Sequence, residues 1–370
     1  MSAARGGPVG VGIIGAGYIS GQYLSTLTAF PDLRVLFVAD LDLARARAQA
    51  EAFGVPRFGT VDQLLDDDDV EIVVNLTIPA VHAEVGRRIV TAGKHVWSEK
   101  PLALDHESGA ALLAAAADTG VRVACAPDTV LGAGIQSALR AIDRGDIGEP
   151  LTATTLFQVG GPEAWHPDPE FLFARGAGPL FDMGPYYVTT LVHVFGAAAR
   201  VSAVSSTSHT ERTIATGPRA GTAFAVEVPT HHAALIGFAG GQSAASTFSF
   251  QDAQRRVGFV EISGTEGTLV LPDPNKFEGD SLLWRFGQEE PTVVAAQGST
   301  HARGSGVLDL ARAIRGDETE RASGALALHV LDVLLAIERA AETGAVVPLT
   351  STVEQPARLS ESWDPAAATL

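Results

Sequence analysis

The residues of this 370-residue chain best suited to proton chemistry lie in Gly178 to Gly196, GPLFDMGPYYVTTLVHVFG. A carboxylate (Asp182) and two phenols (Tyr186, Tyr187) lead there into an apolar run. The stretch is either a helix start with a capping carboxylate or an acid/base set at a pocket mouth. Pro185 suits a first helical turn, where no N–H donor is needed. Asp182 then falls just before the helix N-terminus, stabilised by capping and by the dipole. Tyr186, Thr189 or Thr190, and His193 recur at spacings of three or four and share a face. Tyr187 reads as core. A second group is the loop AWHPDPEF, where His166 supplies an imidazole, the side-chain type suited to proton transfer at neutral pH, and Trp165 a flat apolar face. Packing around the two prolines is the competing reading. Gln158 and Arg175 are further candidate ligand contacts. His231 and His232 are adjacent, so on a strand they point to opposite faces and do not share a metal ion. No other spacing makes a metal site, and none is expected.

These groups need elements to hold them. Val9 to Gly17, VGVGIIGAG, reads as a buried parallel strand ending in glycines. The turn Gly15-Ala16-Gly17-Tyr18-Ile19-Ser20 is a G-x-G-x-x-S form of the dinucleotide fingerprint. Gly15 permits the tight turn, Gly17 lets backbone approach a pyrophosphate, and a small third residue lets helix pack on strand. Tyr18 and Ile19 complete the loop, and the helix N-terminus offers N–H groups to phosphate. The next strand ends at Asp40, placed to accept ribose hydroxyls and to repel a 2′-phosphate, which favours NAD over NADP. Thr77 and Pro79 follow the fourth strand, and His82 starts the next helix. Glu99-Lys100-Pro101 follows the fifth, putting a long cation at the carboxyl edge of the sheet, where open α/β folds bind ligands. Strands alternate with helices as far as VRVACAP, which specifies a doubly wound parallel sheet over residues 1–127. Residues 128–370 read as a second domain: a helix and a strand, then from Val201 β-rich stretches with Gly-rich turns that indicate an antiparallel sheet, closed by the helix GALALHVLDVLLAIERAAETG.

Composition bounds the function. The chain is 46% hydrophobic and 19% charged, ordinary for a globular protein of two domains. A net charge of −17 argues against nucleic acid, which wants a basic footprint. Cys125 is the single cysteine, so no internal disulfide or cysteine zinc site exists. No window reaches the roughly 18 apolar residues of a membrane span. The N-terminus lacks the apolar core of a signal peptide, and a cytoplasmic location is expected.

With GIIGAGYIS, GKHVWSEKPLAL and the Asp-x-Gly stretch together, the sequence resembles the Gfo/Idh/MocA family of NAD(P)-dependent oxidoreductases. The resemblance implies an N-terminal Rossmann domain that binds NAD, and a C-terminal α/β domain with a large, mostly antiparallel open sheet. That sheet often makes homo-oligomers, here a homodimer or homotetramer. The implied substrate is a carbohydrate: a sugar, glycoside, inositol or keto form. The family's lysine matches Lys100, and its Asp-x-Gly-x-His-x-x-Asp motif aligns with Asp182 to Thr189. Tyr186 stands where histidine is expected, and Thr189 replaces the last Asp.

The chemistry implied is hydride transfer between nicotinamide and a ring alcohol or ketone. A free tyrosine, with a pKa of ~10, needs a nearby ammonium to work as a base at neutral pH. Lys100 would supply it, with Tyr186 as acid/base, Asp182 orienting hydroxyls or the lysine, and His166 the rival acid/base. Glu99, Lys100 and Pro101 also fall on the cofactor side. Two other functions compete: glycoside cleavage or elimination with NAD used transiently, and a non-catalytic sensor of NAD and sugar.

Overall fold

The computed structural model describes residues 6–299, 302–316 and 318–370. Contacts divide the chain into two units, one of Met1–Ala133, Gln297–Leu328 and Pro356–Leu370, the other of Gly134–Ala296 and His329–Gln355. A single division at 127/128 therefore differs from the contacts, which return two late segments to the first unit.

The first unit alternates β1 (Val9–Ile14), α1 (Ser20–Leu27), β2 (Leu33–Ala39), α2 (Leu43–Phe53), β3 (Arg57–Gly59), α3 (Val61–Leu65), β4 (Ile72–Asn75), α4 (His82–Thr91), β5 (His95–Ser98), α5 (His106–Thr119) and β6 (Val123–Cys125). Local chemistry sets the ends. Asp42 accepts from the N–H groups of Ala44 and Arg45, Thr60 and Gln63 form a capping box, and Gly54 and Gly120 close α2 and α5 in the left-handed region. The strands pair in parallel in the order β3-β2-β1-β4-β5-β6. The order reverses between β1 and β4, which opens a crevice at their carboxyl ends.

The second unit begins with α6 (Ala133–Asp143), β7 (Pro150–Gln158) and α7 (Gly178–Phe195), then β8 (Ala198–Ser206), β9 (Glu211–Thr213), β10 (Ala223–Ala225), β11 (His231–Phe238), β12 (Ser243–Ser249), β13 (Arg256–Gly264), β14 (Gly267–Leu271), β15 (Ser281–Arg285) and β16 (Thr292–Val294). After α8 (Ser305–Gly316), which lies in the first unit, come α9 (Gly324–Thr343) and β17 (Val347–Pro348). The large sheet runs β16-β15-β14-β13-β7-β12-β11-β8-β17. The β7–β12 pair is parallel and its other described ladders are antiparallel. Ala234, Ser246, Thr155, Val260 and Leu271 form a row on its buried face. One residue along, Leu235, Ala245, Thr154, Glu261, Val270, Leu282 and Val293 form a row on the other, where Leu235 and Val293 are exposed.

Helix α7 packs against β7, β11 and β12. It corrects the expected helix start. Asp182 is its fifth residue and Pro185 its eighth, while Pro179 takes the early position. Of its eighteen residues, all but Asp182 are buried, and a helix apolar on every side is held by its surroundings rather than by its caps. Pro185 has no N–H for the carbonyl one turn back. Its usual clash with the preceding side chain is relieved because that residue is Gly184. A Cβ on Gly184 would stand 2.7 Å from Leu334 Cδ2, so α9 also needs a glycine there.

The returning segments complete the first unit. Val307, Leu308, Leu310 and Ala311 of α8 share one core with Val11, Ile13, Val74 and Trp97. Asp128 Oδ2 accepts from Gly304 N (2.8 Å) and Gly306 N (3.1 Å) at the start of α8. Cys125 N donates to Ala322 O at 2.9 Å, covering the open edge of β6. Near the C-terminus, Asp32 accepts from Arg312 Nε (2.8 Å), Thr369 N and Oγ1 (both 2.7 Å) and Leu370 N (3.1 Å).

Two histidines make this fold acid-sensitive. Burial, then the Arg122 charge, lowers the His95 pKa to about 4; burial, then His231, lowers that of His232 to about 4. An unfolded histidine titrates near 6.5, so the unfolded chain takes up more protons between these values. The stability each neutral ring contributes is present above about pH 6.5 and lost as pH falls toward 4. Glu338, raised to about 7 by burial and then by Glu342, acts oppositely, losing its contribution as pH rises through that value. Melting temperature should therefore fall from pH 6.5 to pH 4 more steeply in the native chain than in His232→Asn; equal slopes would remove His232 from this account.

Candidate functional site

Within the first unit, the expected cofactor residues gather along the carboxyl ends of β1, β2, β4 and β5. Gly15 sits at φ +102°, and a Cβ there would lie 2.6 Å from Leu76 O, so the turn excludes other residues. Gly17 differs: a Cβ there would meet nothing within 4 Å. That open space over the start of α1 is what a pyrophosphate approaching the backbone requires. Ser20, fully buried, turns its hydroxyl back to Gly17 O at 2.6 Å. Tyr18 is exposed and Ile19 half-buried at the rim.

Asp40 follows β2 directly. Its Oδ2 accepts from Ala16 N at 2.7 Å and its Oδ1 from Asp42 N at 2.8 Å. The carboxylate thus supports the glycine turn from the end of β2. Asn75, buried at the end of β4, organises the next loop. Its Oδ1 accepts from Thr77 Oγ1 (2.7 Å) and Thr77 N (3.3 Å), and its Nδ2 donates to His82 O (3.0 Å). Pro79 opens an exposed single turn, Pro79–Val81. The His82 ring is buried, with Nδ1 2.7 Å from Pro101 O and Nε2 2.9 Å from Thr77 O. It joins the two loops from behind, so on this geometry His82 positions them rather than facing a ligand.

Behind Glu99-Lys100-Pro101 runs a relay. Trp97 Nε1 donates to Tyr23 Oη (3.1 Å), which donates to Glu99 Oε1 (2.8 Å), and Lys100 N donates to Glu99 Oε2 (3.1 Å). Burial, then the Glu99 and Asp128 charges, holds Tyr23 well above the usual phenol range, so it remains a donor. The relay joins α1, which follows the glycine turn, to the backbone of Lys100. The Lys100–Pro101 peptide bond is cis, as is Ala126–Pro127. Burial, then the charge of Glu99, pushes the Cys125 thiol up, which makes it a poor nucleophile.

In the second unit, α7 carries Asp182 as its one incompletely buried residue. Tyr186 is buried, and its carbonyl accepts from Thr190 Oγ1 at 2.9 Å. Tyr187 is core: its Oη accepts from Gly258 N (2.9 Å) and its ring packs edge-on to Phe157 and Phe248. The loop after β7 presents Trp165, 66% exposed, beside His166, whose Nδ1 accepts from Asp168 N at 3.0 Å. Gln158 and Arg175 stand apart from this pattern. Gln158 is engaged on both amide atoms, donating to Asp252 and accepting from Arg256. Arg175 is exposed, and its charge acts on Glu338. His231 is half-buried and His232 buried, on opposite faces of β11. Among the described residues, no cluster of three or more His, Cys, Asp or Glu could hold a metal ion. Among the same residues, no helix is long and apolar enough to cross a membrane.

Comparison with known proteins gives this arrangement its family. Residues 9–126 match the model of an oxidoreductase family with an NAD-binding Rossmann fold, and residues 135–270 match the Gfo/Idh/MocA C-terminal domain. An uncharacterized oxidoreductase of Rhizobium meliloti is 31% identical over 269 residues, 71% of this chain and 74% of its own. The chain belongs to the Gfo/Idh/MocA family. A levoglucosan dehydrogenase of Pseudarthrobacter phenanthrenivorans is 27% identical over 308 residues, 76% of this chain and 77% of its own. The crystal structure of an NAD binding oxidoreductase from Klebsiella pneumoniae superposes with a TM-score of 0.82 at 25% identity, covering 92% of this chain and 99% of that one.

Family membership makes the first unit an NAD-binding Rossmann fold, and the open space at Gly17 and the acceptor Asp40 fit that cofactor. Sequence reasoning missed Asn75 and Tyr23. The signals were present, a polar residue ending the apolar run IVVN and a tyrosine one turn into the helix after the glycines, but their partners are distant in sequence.

Asp40→Ala removes the carboxylate expected to accept from the ribose, and with it the acceptor of Ala16 N. A hydrogen bond to a charged group contributes roughly 1.5–3 kcal/mol, so the NAD KM should rise by at least about tenfold, with little change for NADP. An unchanged NAD KM, or a native preference for NADP, would show that Asp40 does not read the ribose.

Proposed function

We propose that the protein is an NAD-dependent oxidoreductase acting on a ring-borne secondary alcohol, or the matching ketone, of a sugar, glycoside or cyclitol. The observation that carries this reading is the relative named levoglucosan dehydrogenase, which aligns over about three quarters of both chains. The exposed indole of Trp165 supports it, because an aromatic face on a polar loop suits the C–H face of a sugar ring. In this reading the second unit holds the substrate, with Asp182, Trp165 and His166 as its contacts. The described helices include no membrane span, and the lone buried Cys125 suits a reducing cytosol, where we place the protein.

NAD supplies the hydride acceptor at nicotinamide C4 when bound to the glycine turn. The remaining work belongs to side chains. As the substrate carbon loses hydride, its hydroxyl proton passes to Tyr186 Oη. In reduction, Tyr186 returns that proton to the forming alkoxide. Burial disfavours a phenolate, so a phenol used as base needs a cation beside it. Lys100 is assigned that charge, and Asp182 accepts from ring hydroxyls. Gln158, bonded to Asp252 and Arg256, and Arg175, whose charge acts on Glu338, are assigned to the edge of the substrate site.

Tyr186→Phe should lower kcat by roughly 10²–10⁴-fold with little change in NAD affinity. A full-rate phenylalanine variant would end the tyrosine assignment and leave His166 as the acid/base. The assay is NADH formation at alkaline pH across sugars, glycosides and inositols; no turnover with any of them would end the reading.

We also propose a homodimer or homotetramer formed through the open face of the large sheet. Leu235 and Val293, 64% and 58% exposed, lie on one cross-strand row of that face, and such rows are covered in stable assemblies. Leu235→Arg should reduce the mass measured by light scattering to that of a monomer. A native chain already monomeric at micromolar concentration would refute this.

A further inference from the structure

We propose that Arg212 and Arg219 are positioning residues for sugar binding, fixing the loop that presents Trp165, His166 and Phe171. The inference rests on the assignment of Trp165 to the sugar. Three rings run edge to face along the loop: Trp165 to His166 at 5.5 Å and His166 to Phe171 at 5.3 Å between centroids, with interplanar angles of 70° and 71°. Trp165 and Phe171 leave 66% and 56% of their surface in water, so these two rings gain little from burial of their own, while Pro162, Pro169, Leu172 and Phe173 anchor the loop's ends. The loop's own regular structure is two single turns, Pro162–Ala164 and Glu170–Leu172. The polar middle of the loop is therefore held by contacts from outside it.

Those contacts converge from the segment between β8 and β11. The Arg212 side chain is 7% exposed. Its Nη1 donates to Gly160 O (2.8 Å) and Glu163 Oε1 (2.6 Å), its Nη2 donates to Phe250 O (2.7 Å), and its guanidinium lies 5.2 Å from the Phe173 centroid. One planar fork thereby ties both ends of the loop to the end of β12. Arg219, on the surface, pairs with Asp168 (3.1 Å) and with Glu170, which lie between His166 and Phe171 in the chain. The backbone adds Ala215 N to Glu163 O and Glu227 N to Phe173 O, both at 3.0 Å. A platform held in its bound form beforehand does not lose loop freedom when the ring docks. Neither arginine touches the reacting atoms, so their effect falls on KM for the sugar and leaves kcat and the NAD KM in place.

The test compares Arg219→Ala, Arg212→Met and Trp165→Ala for KM and kcat with the sugar best used by the native enzyme. Each arginine variant should raise the sugar KM roughly tenfold with kcat within about twofold. Arg212→Lys should recover only part of the loss, because an ammonium cannot make the fork. In a Trp165→Ala background, Arg219→Ala should add nothing further, since the two act through one surface. If Trp165→Ala leaves the sugar KM unchanged, the sugar assignment itself fails. If Trp165→Ala raises it but Arg219→Ala, with native melting temperature, does not, positioning is overturned while the assignment stands. Fully additive losses would likewise overturn it. Should Arg212→Met fail to fold, the surface variant Arg219→Ala decides alone.

Discussion

A charge taken out of water must be met, and this chain meets its buried charges from far along the sequence. Asp32 is satisfied by Arg312, Thr369 and Leu370, Asp128 is met on one oxygen by the N–H groups at the start of α8, and Asp309 is paired with Arg321. Arg212 is met by Glu163 and two carbonyls. Breaking one such buried pair typically costs about 3–5 kcal/mol, because the remaining charge is left uncompensated. The demand is directional, and it determines which distant segment closes on which. The returning segments of the first unit answer that demand: α8 brings an apolar stripe to the core of the parallel sheet, and its N–H groups and its arginine meet the carboxylates.

The same demand gives the cofactor side its order. Trp97, Tyr23 and Glu99 form a line of donors and acceptors that starts between fully buried rings and ends at half-buried Glu99, and its buried bond is stronger than one in water. The line links the helix that follows the glycine turn to the peptide of Lys100. Asn75 and His82 brace the loops after β4 and β5 in a comparable way. The conspicuous motifs are thus held by polar residues that look unremarkable in the sequence. Hydride transfer depends on atoms being held within fractions of an ångström, which is why such support matters.

Much was legible beforehand. The Rossmann strands, the glycine turn, Asp40 at the end of its strand and Glu99-Lys100-Pro101 after the fifth strand all stand where periodicity and spacing put them. These are local features, written within a few residues of one another. The start of α7 was misjudged for a related reason. Pro185 is a good first-turn residue by local rules, yet the helix runs through it, because Gly184 removes the steric objection and packing on every side outweighs one missing N–H. The domain division at 127/128 could not anticipate α8, whose apolar stripe does not say which core it joins.

By itself, the sequence determined the fold class, the NAD-binding Rossmann unit and the family, because strand periodicity, a glycine turn and an acidic strand end are short-range patterns with few alternative meanings. It also named Asp182, Tyr186, Trp165 and His166 as residues able to do chemistry. Only the tertiary structure decided how each is held: Asp182 as the one incompletely buried residue of a buried helix, Tyr187 in the core, Gln158 engaged on both sides, and the aromatic loop tied at its ends by Arg212. Those outcomes depend on which groups meet across tens or hundreds of residues. Hydrogen-bond geometry and burial select these meetings in three dimensions, and linear spacing carries no record of them.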